Sequence, residues 1–215
     1  MYSDGIFDVQ EVEVHSETKL PSDVMLLESL ADCHKFLDSD CDLGLASLEQ
    51  PDEYQKLVAD WLGENKTENL DAASLEKLEE TLPSDARALL QPYLPVIRNI
   101  YQKIPGALSL TLRTISDQMC PLFHVDSLKL RFMVTLHGQG TQWLQDKDVL
   151  RKNLGKGGRK PIAKPDSNLQ QISAGQIALL KGLRFPGSKG LVHRSPSVDP
   201  AKEEKRVFLR VDFLG

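Results

Sequence analysis

Beyond Pro105-Gly106 the hydrophobic period of this 215-residue chain changes from that of a helix to that of a strand. Leu108, Leu110 and Leu112 alternate with Ser109, Thr111 and Arg113. Leu130, Phe132, Val134 and Leu136 alternate with Arg131, Met133 and Thr135. Val207, Leu209, Val211 and Phe213 alternate with Arg206, Phe208, Arg210 and Asp212. Successive side chains of a strand point to opposite faces, so this pattern buries one face of a sheet. A shorter apolar strand is expected at Gln176–Leu180, after the Ala174-Gly175 turn. Short strands separated by Gly and Pro turns imply an antiparallel sandwich or barrel.

Upstream the spacing is helical. Residues 1–20 read as a polar lead-in with a short strand at Val9–Val14. Ser22 is expected to cap a helix over Asp23–Leu37, followed by an acidic break and a short strand at Leu43–Leu48. Pro51 suits the first position of a helix, with Asp52 and Glu53 in its first turn. Tyr54, Leu57, Val58, Trp61 and Leu62 keep helical spacing until Gly63, and a further helix is expected over Asp71–Leu82. Ser84–Gln102 is helical with interruptions at Pro92 and Pro95. The expected class is α+β: a mainly helical portion, 21–106, packed on a β-rich core, 107–215. That core is read as an antiparallel double-stranded β-helix of the jelly-roll or cupin-like kind, and 21–215 as one compact unit. The stretch Gln145–Gln171, with Lys147, Arg151, Lys152, Lys156, Arg159, Lys160 and Lys164, reads as a long mobile loop, either a lid or a disordered segment.

Composition narrows the functional classes. Hydrophobic residues make up 40% and charged residues 27%, enough for a core without disulfides. Cys33, Cys41 and Cys120 are odd in number and form no CxxC, which fits a reducing compartment. No apolar run approaches the roughly 18 residues of a spanning helix. Asp4 and Asp8 stand where a secretory signal would be basic, so a cytoplasmic protein without a membrane partner is expected. The net charge of −5 is unevenly divided: residues 1–110 hold 22 acidic and 8 basic side chains, and residues 111–215 hold 9 and 18. The basic half is either a solvated face or a surface for a small anion. Nucleic acid is not expected, because the basic residues are not interleaved with aromatics, which are only 6%.

His124-Val125-Asp126 puts two metal-ligand side chains on one face of an extended segment. His193, 69 positions later beside Gly190-Leu191-Val192, is the best third ligand. HxD with a distant His is the layout of the two-histidine, one-carboxylate triad of non-haem Fe(II) oxygenases, which leaves positions open for co-substrate and dioxygen. Imidazole and carboxylate also suit Zn(II). Arg206 and Arg210, 13 and 17 positions beyond His193, share one strand face. One of them can grip the far carboxylate of 2-oxoglutarate, or both can pair with acids such as Glu203 and Glu204. Cys120 is either a small buried apolar residue or the fourth ligand of a closed zinc site. Cys120, His137, Thr141, Trp143 and Arg194 are candidates for places around the ligands, with Trp143 and the 145–171 loop covering the substrate side. Gly138-Gln139-Gly140-Thr141 and Gly155-Lys156-Gly157-Gly158 do not match a phosphate loop and read as turns.

Four segments, Cys120-Pro121-Leu122-Phe123-His124-Val125-Asp126, Gly138-Gln139-Gly140-Thr141-Gln142-Trp143-Leu144, Leu179-Leu180-Lys181-Gly182 and Val192-His193-Arg194-Ser195-Pro196, resemble the bacterial family catalogued as domain of unknown function 1826. The likeness runs over roughly residues 40–215 and is densest from Cys120. The resemblance implies a bacterial cytoplasmic protein, metal dependence, and a link to zinc homeostasis and to a metallochaperone GTPase. Two expectations stand: an Fe(II) oxygenase using 2-oxoglutarate, and a non-catalytic metal-binding accessory protein in zinc supply.

Overall fold

The computed structural model describes residues 21–117, 119–197 and 204–215. The lead-in and the expected strand at Val9–Val14 lie outside the described residues. In chain order the elements are β1 (Val24–Leu26), α1 (Leu30–Asp38), β2 (Leu43–Ser47), α2 (Asp52–Glu64), β3 (Thr67–Ala72), α3 (Leu75–Thr81), α4 (Ser84–Leu90), α5 (Leu94–Tyr101), β4 (Leu108–Ile115), β5 (Leu130–His137), β6 (Gln142–Leu144), β7 (Gln170–Gln171), β8 (Gln176–Lys181), β9 (Val192–Arg194) and β10 (Arg206–Phe213). Among the described residues no helix is long and apolar enough to cross a membrane.

Seven strands form one sheet in the order β1-β2-β8-β5-β10-β4-β3, and β7-β6-β9 form a second. All neighbours in the large sheet are antiparallel except β1 and β2. The period-2 residues decide which face meets what. Leu108, Leu110 and Leu112 of β4, Phe132 and Val134 of β5, and Val207, Leu209 and Val211 of β10 share a core with Phe36 of α1, Trp61 of α2, Leu78 of α3, Leu90 of α4 and Ile97 of α5. Each such side chain contributes about 1.5–3 kcal/mol when fully buried. The opposite face carries Ile115, Met133, Ala178, Leu180 and Phe208, which pack with Trp143, Ile172 and Leu191 of and beside the second sheet. Helices therefore cover one face and three strands the other, so the large sheet is buried on both sides.

The helical portion differs from the sequence expectation in three places. Val24–Leu26 is a strand paired with Leu43–Leu45, and the helix begins only at Leu30, after Ser29. Asp71 and Ala72 pair with Ser109 and Leu108 as the end of β3; the following helix starts at Leu75, where the Ser74 hydroxyl caps the Lys77 amide. The N-terminal portion thus supplies three edge-side strands to the large sheet as well as helices. Helix α2 runs past Gly63 to Glu64, and Asn65 ends it in the left-handed conformation.

The 145–171 stretch is built rather than loose in its first half. Val149 and Ala163 form a bridge, Leu150 donates to the Ile162 carbonyl at 2.7 Å, and Arg151 donates to the carbonyls of Lys189 and Gly190 at 2.7 and 3.0 Å. Val149, Leu154 and Ile162 pack with Leu144 and Val192, and with Phe123 and Val125.

The turn from β5 to β6 relies on glycine. A Cβ at Gly140 would lie 1.7 Å from the Ile172 carbonyl oxygen, and Gly138 holds a φ of +85°. Gly140→Ala is expected to cost at least about 1–3 kcal/mol, because the β6–β7 pairing must open to admit it. A denaturation midpoint equal to that of the unsubstituted protein would contradict this close approach.

Candidate metal centre

His124 and His193 are joined before their side chains meet. Their backbones form an antiparallel bridge, each amide donating to the other's carbonyl at 3.0 Å. This bridge places the imidazoles side by side, ring centroids 4.5 Å apart. Asp126 follows two residues after His124 on the same side. Its Oδ1 lies 3.7 Å from His124 Nε2 and its Oδ2 lies 3.4 Å from His193 Nε2. One ligand atom from each of the three falls within 4.8 Å of the others.

The tautomers follow from the backbone. His124 Nδ1 lies 3.0 Å from the Leu122 carbonyl and His193 Nδ1 lies 3.1 Å from the Leu191 carbonyl. A carbonyl only accepts, so each Nδ1 carries the hydrogen and each Nε2 presents a lone pair. Burial holds the His193 imidazole well below its ordinary titration range, with the nearby His124 and Arg131 adding to this against the pull of Asp126. His193 is therefore neutral near pH 7. When both imidazoles are neutral, two Nε2 lone pairs face the Asp126 carboxyl group, which is the arrangement a divalent cation completes.

Asp126 has a partner that the sequence reading did not single out. Arg131 Nη1 lies 2.6 Å from Asp126 Oδ2, and Arg131 Nε and Nη2 donate to Asp212 at 2.6 and 2.9 Å. The contact to Asp126 is ionic rather than directional, so Oδ2 is buried without a hydrogen-bond donor among the described residues. Arg131 and Asp212 stand directly opposite on β5 and β10. Burial alone would lower the Arg131 pKa, but Asp212 and Asp126 outweigh it and raise the value. Arg131 lies on the polar half of an amphipathic strand, which in isolation reads as solvent-facing. Its opposite charge to Asp212, on a strand of the same period, is the signal that could have found it.

A cleft between the sheets opens onto the histidines. Arg131, Arg194, Arg206 and Arg210 line it, with Thr141, Met133, Phe208 and Cys120. No carboxylate is among its lining among the described residues. Arg206 is 3% exposed; its Nη2 donates to Thr135 Oγ1 at 3.3 Å and its Nε has no hydrogen-bond partner among the described residues. Burial pushes its pKa down to about 10, so it stays charged at neutral pH. The expected pairing with Glu203 lies outside the described residues. Arg194 donates to Gln142 Oε1 at 2.8 Å and lies over the Phe123 ring.

Three expectations are corrected. Cys120 is exposed, so it is not the buried apolar residue expected; it lies outside the His124, Asp126 and His193 cluster but lines the cleft beside the histidines. His137 is exposed at the end of β5 and does not line the cleft. Trp143 is 4% exposed and packs between the sheets, paired in register with His193; it anchors the second sheet and does not cover the substrate side.

Comparison with known proteins follows this geometry. The family profile described as protein of unknown function, DUF1826, matches residues 26–212. No curated protein matches the sequence. A selenomethionine-labelled structure of the Fe(II)/α-ketoglutarate-dependent dioxygenase TqaL is 9% identical, with a TM-score of 0.53 over 86% of this chain and 87% of that one. A prolyl-4-hydroxylase from Pseudomonas putida is 10% identical, with a TM-score of 0.48 over 86% of this chain and 94% of that one. The first likeness agrees with the fold described above, a large antiparallel sheet in a jelly-roll sandwich.

Removing one member of a buried ion pair strands the other, at a cost of about 3–5 kcal/mol. Arg131→Leu is expected to lose that much stability in metal-free protein, and Arg131→Leu with Asp212→Asn to lose less than the two single changes together. Additive losses in chemical denaturation would show that the two residues are not coupled.

Proposed function

We propose that this chain, which belongs to the DUF1826 family of proteins of unknown function, is a non-haem Fe(II) oxygenase that uses 2-oxoglutarate. His124, Asp126 and His193 are the proposed ligands, and Arg206 with Thr135 is the proposed anchor for the far carboxylate of the co-substrate. The observation that carries this reading is the pair of Nε2 lone pairs facing Asp126, both tautomers fixed by backbone carbonyls. A three-ligand set leaves coordination positions open, and the adjoining cleft is cationic, as a dicarboxylate requires. The shared fold with a dioxygenase named for Fe(II) and α-ketoglutarate points the same way. A closed zinc site loses support, because Cys120 stands outside the ligand cluster.

Bound iron would supply the dioxygen chemistry that amino-acid side chains lack. The chain's own contribution is positional. Leu122 and Leu191 fix the imidazoles through their carbonyls, and Arg131 holds Asp126 in an ion pair at 2.6 Å. Arg206 offers a guanidinium that is already dehydrated, so a carboxylate meeting it displaces little water.

Metal-free protein reconstituted anaerobically should take up one Fe(II) per chain, and His124→Ala, Asp126→Ala and His193→Ala should each abolish stoichiometric uptake while remaining folded. Full occupancy in His193→Ala, measured by elemental analysis, would overturn the ligand set. Arg206→Gln is expected to weaken 2-oxoglutarate by about 1.5–3 kcal/mol, the range for hydrogen bonds to a charged group. Calorimetry that detects no dicarboxylate binding to the iron-loaded wild type would overturn the co-substrate reading.

A further inference from the structure

The four cleft arginines are not equally occupied. Arg131 is engaged by Asp212 and Asp126, and Arg194 donates its Nε to Gln142 and lies over the Phe123 ring. Arg206 and Arg210 each keep a buried Nε without a hydrogen-bond partner among the described residues. Arg210 Nε is 3.7 Å from Asp212 Oδ2, too far for a hydrogen bond, and that oxygen already accepts from Arg131 at 2.9 Å. A dehydrated guanidinium hydrogen without an acceptor is costly, so each site calls for an anion.

One carboxylate cannot serve both. Arg206 and Arg210 stand four residues apart on β10, about 13 Å along the strand at ~3.3 Å per residue. Arg206 reaches Thr135, whereas Arg210 sits opposite Met133, two residues further along β5. They also differ in depth: Arg206 is 3% exposed, and the Arg210 side chain is 29% exposed. The Arg131–Asp212 pair links Arg210 to Asp126, which puts Arg210 on the metal side of the cleft. A divalent metal and a dianionic co-substrate cancel each other in charge, so the cationic lining keeps its excess after both have bound.

We propose that the cleft holds two anions at once and that Arg210 binds a carboxylate of the primary substrate, which is a small organic acid. This rests on the reading of Arg206 as the co-substrate anchor, and the oxygenase reading supplies the second anion. The deep site fills first with the dicarboxylate, and the substrate then enters at the more open Arg210.

The test uses Mn(II)-loaded, anaerobic protein saturated with 2-oxoglutarate, into which propionate or its uncharged analogue propionamide is titrated. Propionate is expected to bind at least tenfold more tightly than propionamide. Arg210→Gln should abolish that preference while changing 2-oxoglutarate affinity less than threefold, and Arg210→Lys should retain part of it. Equal binding of acid and amide by the wild type would overturn the proposal. So would an Arg210→Gln protein that loses 2-oxoglutarate as fully as Arg206→Gln does. If the wild type binds no 2-oxoglutarate, the oxygenase reading fails separately. The same propionate titration on Mn(II)-loaded protein then still decides the Arg210 site: an acid preference lost in Arg210→Gln supports it, and no preference overturns it.

Discussion

The inner face of β10 must hold Arg206, Arg210 and Asp212 out of bulk water, because the strand's other face is committed to the helical core. A sheet buried on both sides cannot leave such charges unpaired without a large desolvation cost. The ladder settles part of it by setting Arg131 opposite Asp212. Arg131 is then close enough to hold Asp126, and Asp126 is the only acidic member of the proposed ligand set. Arg206, which has no ion pair among the described residues, and Arg210, whose Nε lies 3.7 Å from Asp212 Oδ2 without a hydrogen bond, give the cleft its character.

The second constraint is the backbone bridge between His124 and His193. These residues are 69 positions apart, and their imidazoles meet because two short extended segments exchange hydrogen bonds. Everything that shapes the second sheet therefore bears on the metal centre. Trp143 fills the space between the sheets, Gly140 lets the chain approach Ile172, and the packed segment around Val149 backs β9 through Val192. Residues that are not themselves proposed ligands thus bear on how the two rings meet at the site.

Much of this was legible in the sequence, for identifiable reasons. β4, β5, β8 and β10 announce themselves by alternation or by a short apolar run, and the HxD pair and the late histidine are placed together by the fold. β1 was not legible: three residues are too few to show a period, and its parallel partner lies across a helix. β3, Thr67–Ala72, alternates only between exposed and half-buried positions, so it gives no strand signal, and its last two residues fall within the helix expected over Asp71–Leu82. Arg131 and Thr135 were missed because alternation tells which residues face away from the core, not whether a second sheet waits there. Cys120 and His137 are both exposed; Cys120 lines the cleft beside the histidines, and His137 does not.

The central claim is an open metal centre that accepts a dicarboxylate beside the histidines. It is tested most directly by adding 2-oxoglutarate to anaerobic, Fe(II)-loaded protein and recording the visible charge-transfer absorption of a keto acid chelated to iron. The account expects a saturable band at one 2-oxoglutarate per iron. Iron that is bound stoichiometrically but gives no such band at saturating 2-oxoglutarate would contradict it.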